Sequence, residues 1–221
     1  MIERPTRDVE RSLRADGYRV IVGVDEVGKG AWAGPLAIGV AVIPDESDPP
    51  ADVEVLIRDS KSITEKRREA MFDALASWCV DWSVGLASAR ECDEMGMSRA
   101  QRVATSRALA GLSGRADAAL VDGPWDFVSP HVPHVTTVVK GDTRCLSIAA
   151  ASILAKVTRD RLMRDLAVEH PMYRFESNKG YPCAWHRAGL YAAGPSSIHR
   201  RSWAFMDALG FWGGVGRVEK S

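Results

Sequence analysis

Residues 18–43 read YRVIVGVDEVGKGAWAGPLAIGVAVI, and this stretch decides the fold. Residues 18–25 are rich in Val and Ile, a composition that predicts a buried strand. Residues 35–43 have the same character, and the glycines between the two segments predict a loop that folds the second strand back onto the first. The chain is therefore expected to begin its sheet with a hairpin.

Helix and strand patterns alternate after this hairpin. Three further strands are predicted at residues 79–87, 118–122 and 135–139. Helices are predicted at residues 62–78, at 88–112 with an interruption near Gly96, at 146–169 and at 197–209. Capping boxes begin the first two helices, and the longest helix starts with SIAAAS, whose small side chains permit close contact with a sheet. The pattern predicts an α/β domain with a mixed sheet flanked by helices and a helical C-terminal region.

The composition of the 221 residues is that of a globular protein, with 46% hydrophobic and 26% charged residues. Residues 1–17 are polar and lack the apolar core of a signal peptide, and no segment has the roughly 18 uncharged apolar residues of a membrane span. The four cysteines are far apart and form no CxxC pair, which disfavours a zinc site or a disulfide framework. We expect a protein of the reducing cytoplasm with no membrane partner.

Charge is distributed unevenly although the net charge is zero. Residues 140–201 contain 11 of the 29 Lys and Arg but 5 of the 29 Asp and Glu, so this part has a net charge of +6 and the remainder −6. A basic part next to an acidic part is consistent with a surface that faces a polyanion and a separate acidic site.

Four acidic residues lie at or just after predicted strand ends. Asp25 ends the first predicted strand and Glu26 follows it, Asp122 ends the strand at residues 118–122, and Asp142 comes soon after residue 139. Strand ends are where α/β sheets place their ligands, so we expect these carboxylates to converge. An isolated Asp-Glu pair can also be a loop cap with a solvated neighbour, but the recurrence of acids at strand ends favours a site.

The ligand chemistry of such a cluster points to hard cations. Carboxylates without His or Cys favour Mg²⁺ or Mn²⁺ over zinc. Two such ions, about 3.5–4 Å apart, can hold the attacking and the leaving oxygen of a phosphodiester displacement. The acids therefore predict a two-ion site for phosphodiester chemistry.

Glycines surround Lys29 in the segment that contains Gly28, Gly30 and Gly34. A dinucleotide-binding loop would be followed by a helix, whereas PLAIGVAVI predicts a strand, and the chain has no GxxxxGK[ST] motif of a P-loop. The segment is either a glycine-rich turn or a place where the backbone approaches a ligand closely, such as a sugar–phosphate chain.

Basic and aromatic residues supply candidate substrate contacts. Lys140 and Arg144 flank Asp142, so they either bind phosphates or hold the carboxylates in place. Lys61 belongs to the segment Asp59-Ser60-Lys61 and is a further candidate. Tyr181 lies in Gly-Tyr-Pro, which is either a rigid turn with a packed ring or an aromatic platform for a sugar or base. The other basic residues of the set are Lys156, Arg159, Arg161, Lys179, Arg200 and Arg201.

Several long segments, in order, resemble the ribonuclease HII family, the type 2 ribonucleases H of bacteria. They are GVDEVGKGAWAGPL, DSKSITEKRREAMF, LVDG, VVKGDTRCLSIAAASILAKVTRDRLM, NKGYP and IHRRSW. The resemblance extends over roughly residues 18–204. It implies an N-terminal leader (residues 1–17), a ribonuclease H-like catalytic domain (18–170) and a C-terminal helical region that completes the substrate groove (171–221).

The same resemblance implies an endonuclease acting on RNA–DNA hybrids and on ribonucleotides embedded in duplex DNA. Cleavage would leave 3′-hydroxyl and 5′-phosphate ends and would use two Mn²⁺ or Mg²⁺ ions. By this resemblance Asp25 bridges both ions, Glu26 and Asp122 bind on the leaving-group side, and Asp142 binds the ion that activates water. A monomer is the default state of the family.

The resemblance also assigns substrate contacts. Gly28-Lys29-Gly30 matches the loop that senses the ribose 2′-hydroxyl through its backbone, and Tyr181 matches the tyrosine that packs on the deoxyribose at the RNA–DNA junction. The family usually has Arg where this chain has Lys29, and an ammonium does not reproduce a planar bidentate contact. The related type 3 enzymes carry a different glycine loop and an N-terminal DNA-binding domain, so the 17-residue leader favours type 2.

Two other functions are compatible with parts of the sequence. A hybrid-binding module without catalysis would need affinity that is sensitive to salt but indifferent to Asp25→Asn, and the presence of all four acids disfavours it. A dinucleotide-dependent oxidoreductase is disfavoured because no helix is predicted after the glycines. The segment 210–221 is either a packed terminus or a disordered end.

Overall fold

The computed structural model describes residues 5–58, 64–207 and 209. Within them, five strands form one sheet: β1 (Ile21–Val27), β2 (Leu36–Val42), β3 (Asp81–Ala87), β4 (Ala118–Asp122) and β5 (His134–Val138). Their order is β3-β2-β1-β4-β5. β1 and β2 form the predicted antiparallel hairpin, β3 pairs antiparallel with β2, and β4 and β5 extend the sheet in parallel with β1. The prediction of a mixed α/β sheet is confirmed.

Helices cover the sheet and build the C-terminal part. Those in the described residues are α1 (Asp8–Ala15), α2 (Ala51–Arg58), α3 (Glu65–Ala70), α4 (Phe72–Trp78), α5 (Ala89–Met95), α6 (Met97–Ala110), α7 (Leu146–Glu169), α8 (Phe175–Asn178) and α9 (Ala184–Ala193). The predicted interruption near Gly96 is confirmed, since this residue separates α5 from α6 with a φ of 77°. Of the two predicted capping boxes, the one between Ser88 and Glu91 is present, whereas Ser62 lies outside the described residues.

Three sequence predictions need correction. β1 continues past its predicted end at Asp25 to Val27, which pairs with Ala37, so Glu26 lies within the strand and not after it. The α-helix predicted at residues 197–209 is wrong, because in its described part residues 204–207 and 209 have 3₁₀ geometry and none is α-helical. Before these residues, His199 forms an isolated antiparallel bridge with Ala33 of the β1–β2 loop, and the last α-helix of the described residues is instead α9. The helix α2 was not predicted.

Close backbone contacts fix how the helices lie on the sheet. A Cβ atom added to Gly23 in β1 would lie 2.1 Å from the carbonyl carbon of Ser147 in α7. On β3, a Cβ atom added to Gly85 would lie 2.0 Å from the carbonyl oxygen of Ala104 in α6. The small residues of SIAAAS at the start of α7 thus allow the predicted close contact between this helix and the sheet. α7 covers one face of the sheet and α6 covers the other.

An apolar cluster joins the end of α7 to the C-terminal region. It contains Ala33, Met163, Tyr173, Phe175, Leu190 and Met206. Ala33 belongs to the loop between β1 and β2, so this cluster brings the C-terminal region against the glycine-rich segment of the sequence. No helix among the described residues is both long and apolar enough to span a bilayer.

Candidate active site

Asp25 lies in the middle of the sheet, buried, with 8% of its surface exposed. Successive side chains of a strand point to opposite faces, so Asp25 faces α7 as Gly23 does. Its carboxylate accepts a hydrogen bond from the Ser152 side chain of α7 and another from the Glu26 amide at 2.7 Å. The absence of a side chain at Gly23 lets α7 come close enough to provide that serine.

Burial raises the pKa of Asp25 from 3.8 to about 7. The negative charges of Asp122 and Asp142 add to this effect, and the hydrogen bonds from Ser152 and from the Glu26 amide oppose it. The ionised form of Asp25 is therefore unfavourable in this environment unless a cation lies nearby. This is the electrostatic condition that a bound divalent ion would satisfy.

Asp122 ends β4 beside Asp25. The parallel register pairs Val24 with Val121, so the two acids lie one residue further along neighbouring strands. The Gly141 amide donates to Asp122 Oδ1 at 2.6 Å. This bond connects Asp122 to the 3₁₀ turn Gly141–Thr143, which carries Asp142 toward the same edge of the sheet.

Glu26 points to the opposite face of β1 from Asp25. Its Oε1 lies 2.7 Å from Lys29 Nζ, and its Oε2 accepts a hydrogen bond from the Gln101 side chain of α6. Gln101 is almost completely buried. No sequence pattern points to Gln101, because its contact with Glu26 depends on how α6 crosses the sheet.

A cavity of about 370 Å³ opens beside these acids. Its lining includes Asp25, Glu26, Arg68, Asp142, Ser152, Lys156 and Tyr181. Lys156 is paired with Asp160. Ser152 and Lys156 reach the cavity because α7 lies along β1. Lys156 belongs to the basic set of the sequence analysis, whereas no sequence pattern pointed to Ser152. Three of the four predicted acids thus share one cavity, and the fourth, Asp122, interacts electrostatically with Asp25.

The donor set of this cavity is suited to hard divalent ions because its acids supply oxygen ligands. Within the described residues, however, no three Asp, Glu, His or Cys side chains form a ready-made ion-binding group. The contacts of Glu26 with Lys29 and Gln101 explain part of this, since they hold one carboxylate away from the others.

Tyr181 connects the C-terminal region to the glycine loop, by which we mean residues 28–34. Its hydroxyl accepts a hydrogen bond from the Gly28 amide at 3.1 Å. Gly28 has a φ of 85°, and a Cβ atom there would lie 2.2 Å from Arg159 Nε, so a side chain is excluded on both grounds. Lys29 and Gly30 are exposed, and Gly30 lies next to the Tyr181 ring.

A family model described as Ribonuclease HII matches residues 22–206. The chain belongs to the ribonuclease HII family. The Ribonuclease HII of Streptomyces avermitilis is 46% identical over 212 residues, which are 95% of this chain and 88% of that protein. The family membership that the sequence segments indicated is therefore confirmed.

Solved structures of related proteins have the same fold. The ribonuclease H2 from Pyrococcus horikoshii OT3 is 30% identical, with a TM-score of 0.72 over 90% of this chain and 100% of that one. Bst-RNase HIII in complex with Mn²⁺ matches with a TM-score of 0.68 over 89% of this chain and 71% of that one. At 17% identity, the second comparison supports the fold alone.

Family membership makes the chain a ribonuclease H, an endonuclease of RNA–DNA hybrids. This excludes the oxidoreductase interpretation and disfavours a hybrid-binding module without catalysis. The geometry also excludes an oxidoreductase of the dinucleotide-binding fold, because the antiparallel strand β2 follows the glycine loop where that fold would begin a helix.

Two of the three predicted basic contacts, Lys140 and Arg144, lie outside the lining of the acid cavity. Both are exposed, on either side of the turn that carries Asp142. Lys140 has a left-handed backbone conformation with a φ of 55°. Lys61 lies outside the described residues.

Proposed function

We propose that this chain hydrolyses the RNA strand of RNA–DNA hybrids and nicks 5′ of ribonucleotides embedded in duplex DNA. The products are 3′-hydroxyl and 5′-phosphate ends, and the reaction depends on two Mn²⁺ or Mg²⁺ ions. The observation that carries the proposal is the burial of Asp25 beside Asp122 and Asp142, at a cavity that Tyr181 also lines. In the cell such an activity removes misincorporated ribonucleotides and RNA primers in the cytoplasm.

The four acids are the residues that would hold the ions. Asp25 would hold both ions, Glu26 and Asp122 would hold the ion on the leaving-group side, and Asp142 would hold the ion that activates the attacking water. When bound, divalent ions there would make a water more acidic and stabilise the negative charge that develops on the pentacoordinate phosphorus. Glu26 has to exchange its contacts with Lys29 and Gln101 for this role.

Substrate recognition is assigned to the rim of the cavity. The glycine loop contacts the ribose 2′-hydroxyl, the group that distinguishes RNA from DNA, and Tyr181 packs on the following deoxyribose. Lys61, Lys140 and Arg144 contact backbone phosphates. The C-terminal region, residues 171–221, completes the groove because it contributes Tyr181, and a monomer contains all of these parts.

The test is nicking of a DNA duplex that contains one ribonucleotide. We expect cleavage with Mn²⁺ or Mg²⁺, none with EDTA, and none of an all-DNA duplex. Asp122→Asn should lower the rate by at least about 10³-fold, because it removes one charge from the ion site while keeping the shape of the side chain.

The matched control is Asp126→Asn. Asp126 is on the same loop after β4, but its carboxylate accepts hydrogen bonds from the Val128 and Ser129 amides, outside the acid cavity. An amide oxygen can still accept these bonds, so activity should stay near that of the unchanged protein. Full activity of Asp122→Asn, or loss of the same size in the control, would contradict the assignment of Asp122.

A further inference from the structure

The side chain of Arg200 lies fully buried against the glycine loop. Its Nη1 donates to the Lys29 carbonyl at 2.8 Å, and its Nη2 donates to the carbonyls of Gly28 at 2.7 Å and Gly34 at 3.2 Å. Its own amide donates to the Trp32 carbonyl at 2.8 Å. One residue of the distant C-terminal region therefore holds four carbonyls of this loop.

These bonds fix the direction of two peptide groups. The peptide bonds of the loop are trans, and the N–H of a trans peptide points away from its C=O. The Gly28 carbonyl shares its peptide with the Lys29 amide, and the Lys29 carbonyl shares its peptide with the Gly30 amide. Because Arg200 draws both carbonyls inward, the amides of Lys29 and Gly30 are directed away from it.

Both amides are available to a ligand. Neither donates a hydrogen bond to an acceptor within residues 5–58, 64–207 and 209, and Lys29 and Gly30 are exposed. A Cβ atom added to Gly30 would lie 4.0 Å from Cε1 of Tyr181, so these donors border the tyrosine ring. A sugar packed on that ring would meet the two N–H groups.

The charge of Arg200 adds to this arrangement. The side-chain donors of Arg200 bind neutral carbonyls of the loop. A cation bound to a carbonyl polarises the whole peptide group, which makes its N–H a stronger donor. In Arg200→Lys, the ammonium group would keep the positive charge, but it lacks the planar guanidinium that reaches three carbonyls at once.

We propose that Arg200 is a positioning residue that sets the selectivity for ribose, by aiming the amides of Lys29 and Gly30 at the 2′-hydroxyl oxygen. The inference rests on the proposed function, in which this loop meets the ribonucleotide. Arg200 itself does not touch the substrate, and it acts through the loop that it binds.

The test compares affinity for two duplexes that differ by one 2′-hydroxyl. Fluorescence anisotropy in EDTA gives the dissociation constants of an all-DNA duplex and of the same duplex with one ribonucleotide, without cleavage. We expect the unchanged protein to favour the ribonucleotide duplex by about tenfold, the effect of one or two hydrogen bonds. Arg200→Lys and Arg200→Gln should reduce this ratio to near one.

Arg7→Lys is the matched control, because Arg7 is also a buried arginine but binds Asp48 and the Ser47 carbonyl. It should lose stability, as Arg200→Lys does, and keep the tenfold ratio. A structural role of Arg200 would lower the melting temperature without changing the ratio, so an unchanged ratio in folded Arg200→Lys overturns the proposal. If the unchanged protein nicks at the ribonucleotide but binds both duplexes equally, the proposal fails while the proposed function stands.

Hydrogen exchange in the unchanged protein tests the same geometry without a variant. The Lys29 and Gly30 amides should exchange rapidly in the free protein, since they are exposed and lack acceptors. The ribonucleotide duplex should slow their exchange by about tenfold or more, and the all-DNA duplex should not. Slow exchange in the free protein, or equal protection by both duplexes, would contradict the inference even if neither Arg200 variant folds.

Discussion

At the scale of single residues, Asp25 combines burial with the neighbouring charges of Asp122 and Asp142. Its pKa is about 7 in the folded protein against 3.8 ordinarily, so ionising Asp25 costs stability as the pH rises through this range. We expect Asp25→Asn to raise the free energy of unfolding of the metal-free protein at pH 8 by about 1–3 kcal/mol. Urea denaturation in EDTA measures this.

With Mn²⁺ in place of EDTA, the unchanged protein should have a higher free energy of unfolding than Asp25→Asn. The ion binds the folded state and stabilises the unchanged protein, whereas Asp25→Asn, which lacks the bridging carboxylate, should gain little. The control Asp126→Asn should respond to Mn²⁺ as the unchanged protein does. If Asp25→Asn were less stable than the unchanged protein in EDTA, the conclusion that the ionised Asp25 carboxylate destabilises the metal-free fold would be wrong.

Residue types and their positions along the strands were enough to predict the acids. Asp25 and Asp122 lie on adjacent strands because β4 pairs in parallel with β1, a pairing that the predicted mixed sheet left open. Ser152 and Gln101 were not found, since each reaches the site only through the register of a helix across the sheet. Such contacts join distant parts of the chain, and no local pattern encodes them.

At the scale of secondary-structure elements, the contact of β1 with α7 depends on Gly23. A Cβ atom there would lie 2.1 Å from backbone of Ser147, which no side-chain rotation can relieve. Gly23→Ala should lower the free energy of unfolding by about 1–3 kcal/mol and also reduce nicking, because α7 carries Ser152. Gly114→Ala is the control, since nothing lies within 4 Å of its added Cβ and its effect should be small. Equal urea midpoints for the two variants would contradict the close contact.

Elements with local signals were predicted well, and elements fixed by distant contacts were not. The capping box of Ser88 is visible in the sequence and begins α5 as expected. Residues 197–209 have a helical pattern, yet the Gly34 amide binds the Ile198 carbonyl and the Arg200 amide binds the Trp32 carbonyl. These bonds pair the segment with the glycine loop and replace the hydrogen bonds of a helix.

At the scale of the whole molecule, two buried histidines, His186 and His199, join separate segments of the C-terminal region, and His186 binds the backbone of Tyr181. The Ser196 amide donates to His199 Nδ1 at 2.9 Å, which leaves the proton of that ring on Nε2. The His199 Nε2 proton is donated to His186 Nε2 at 3.0 Å, and His186 Nδ1 donates to the Tyr181 carbonyl at 2.9 Å. This chain of bonds requires both rings to be neutral.

The neutral pair makes the stability of the fold depend on pH. Burial lowers the pKa of His199 to about 3 and also lowers that of His186, and the positive charge of Arg201 acts in the same direction on His199. Unfolded histidine titrates near 6.5, so below that pH the unfolded chain binds protons that the folded protein excludes. The stabilising contribution is complete above pH 6.5 and is lost as the pH falls.

His199→Asn removes this titration while its amide oxygen can still accept the Ser196 amide bond. Between pH 6 and 4 the unchanged protein should lose up to about 1.4 kcal/mol of unfolding free energy per pH unit more than the variant, the value for one proton. Urea denaturation across that range gives the difference between the two slopes. His131→Asn, a change of an exposed histidine, should keep the slope of the unchanged protein. If His199→Asn also keeps this slope, the neutral His186–His199 pair is not the source of the acid sensitivity of the fold.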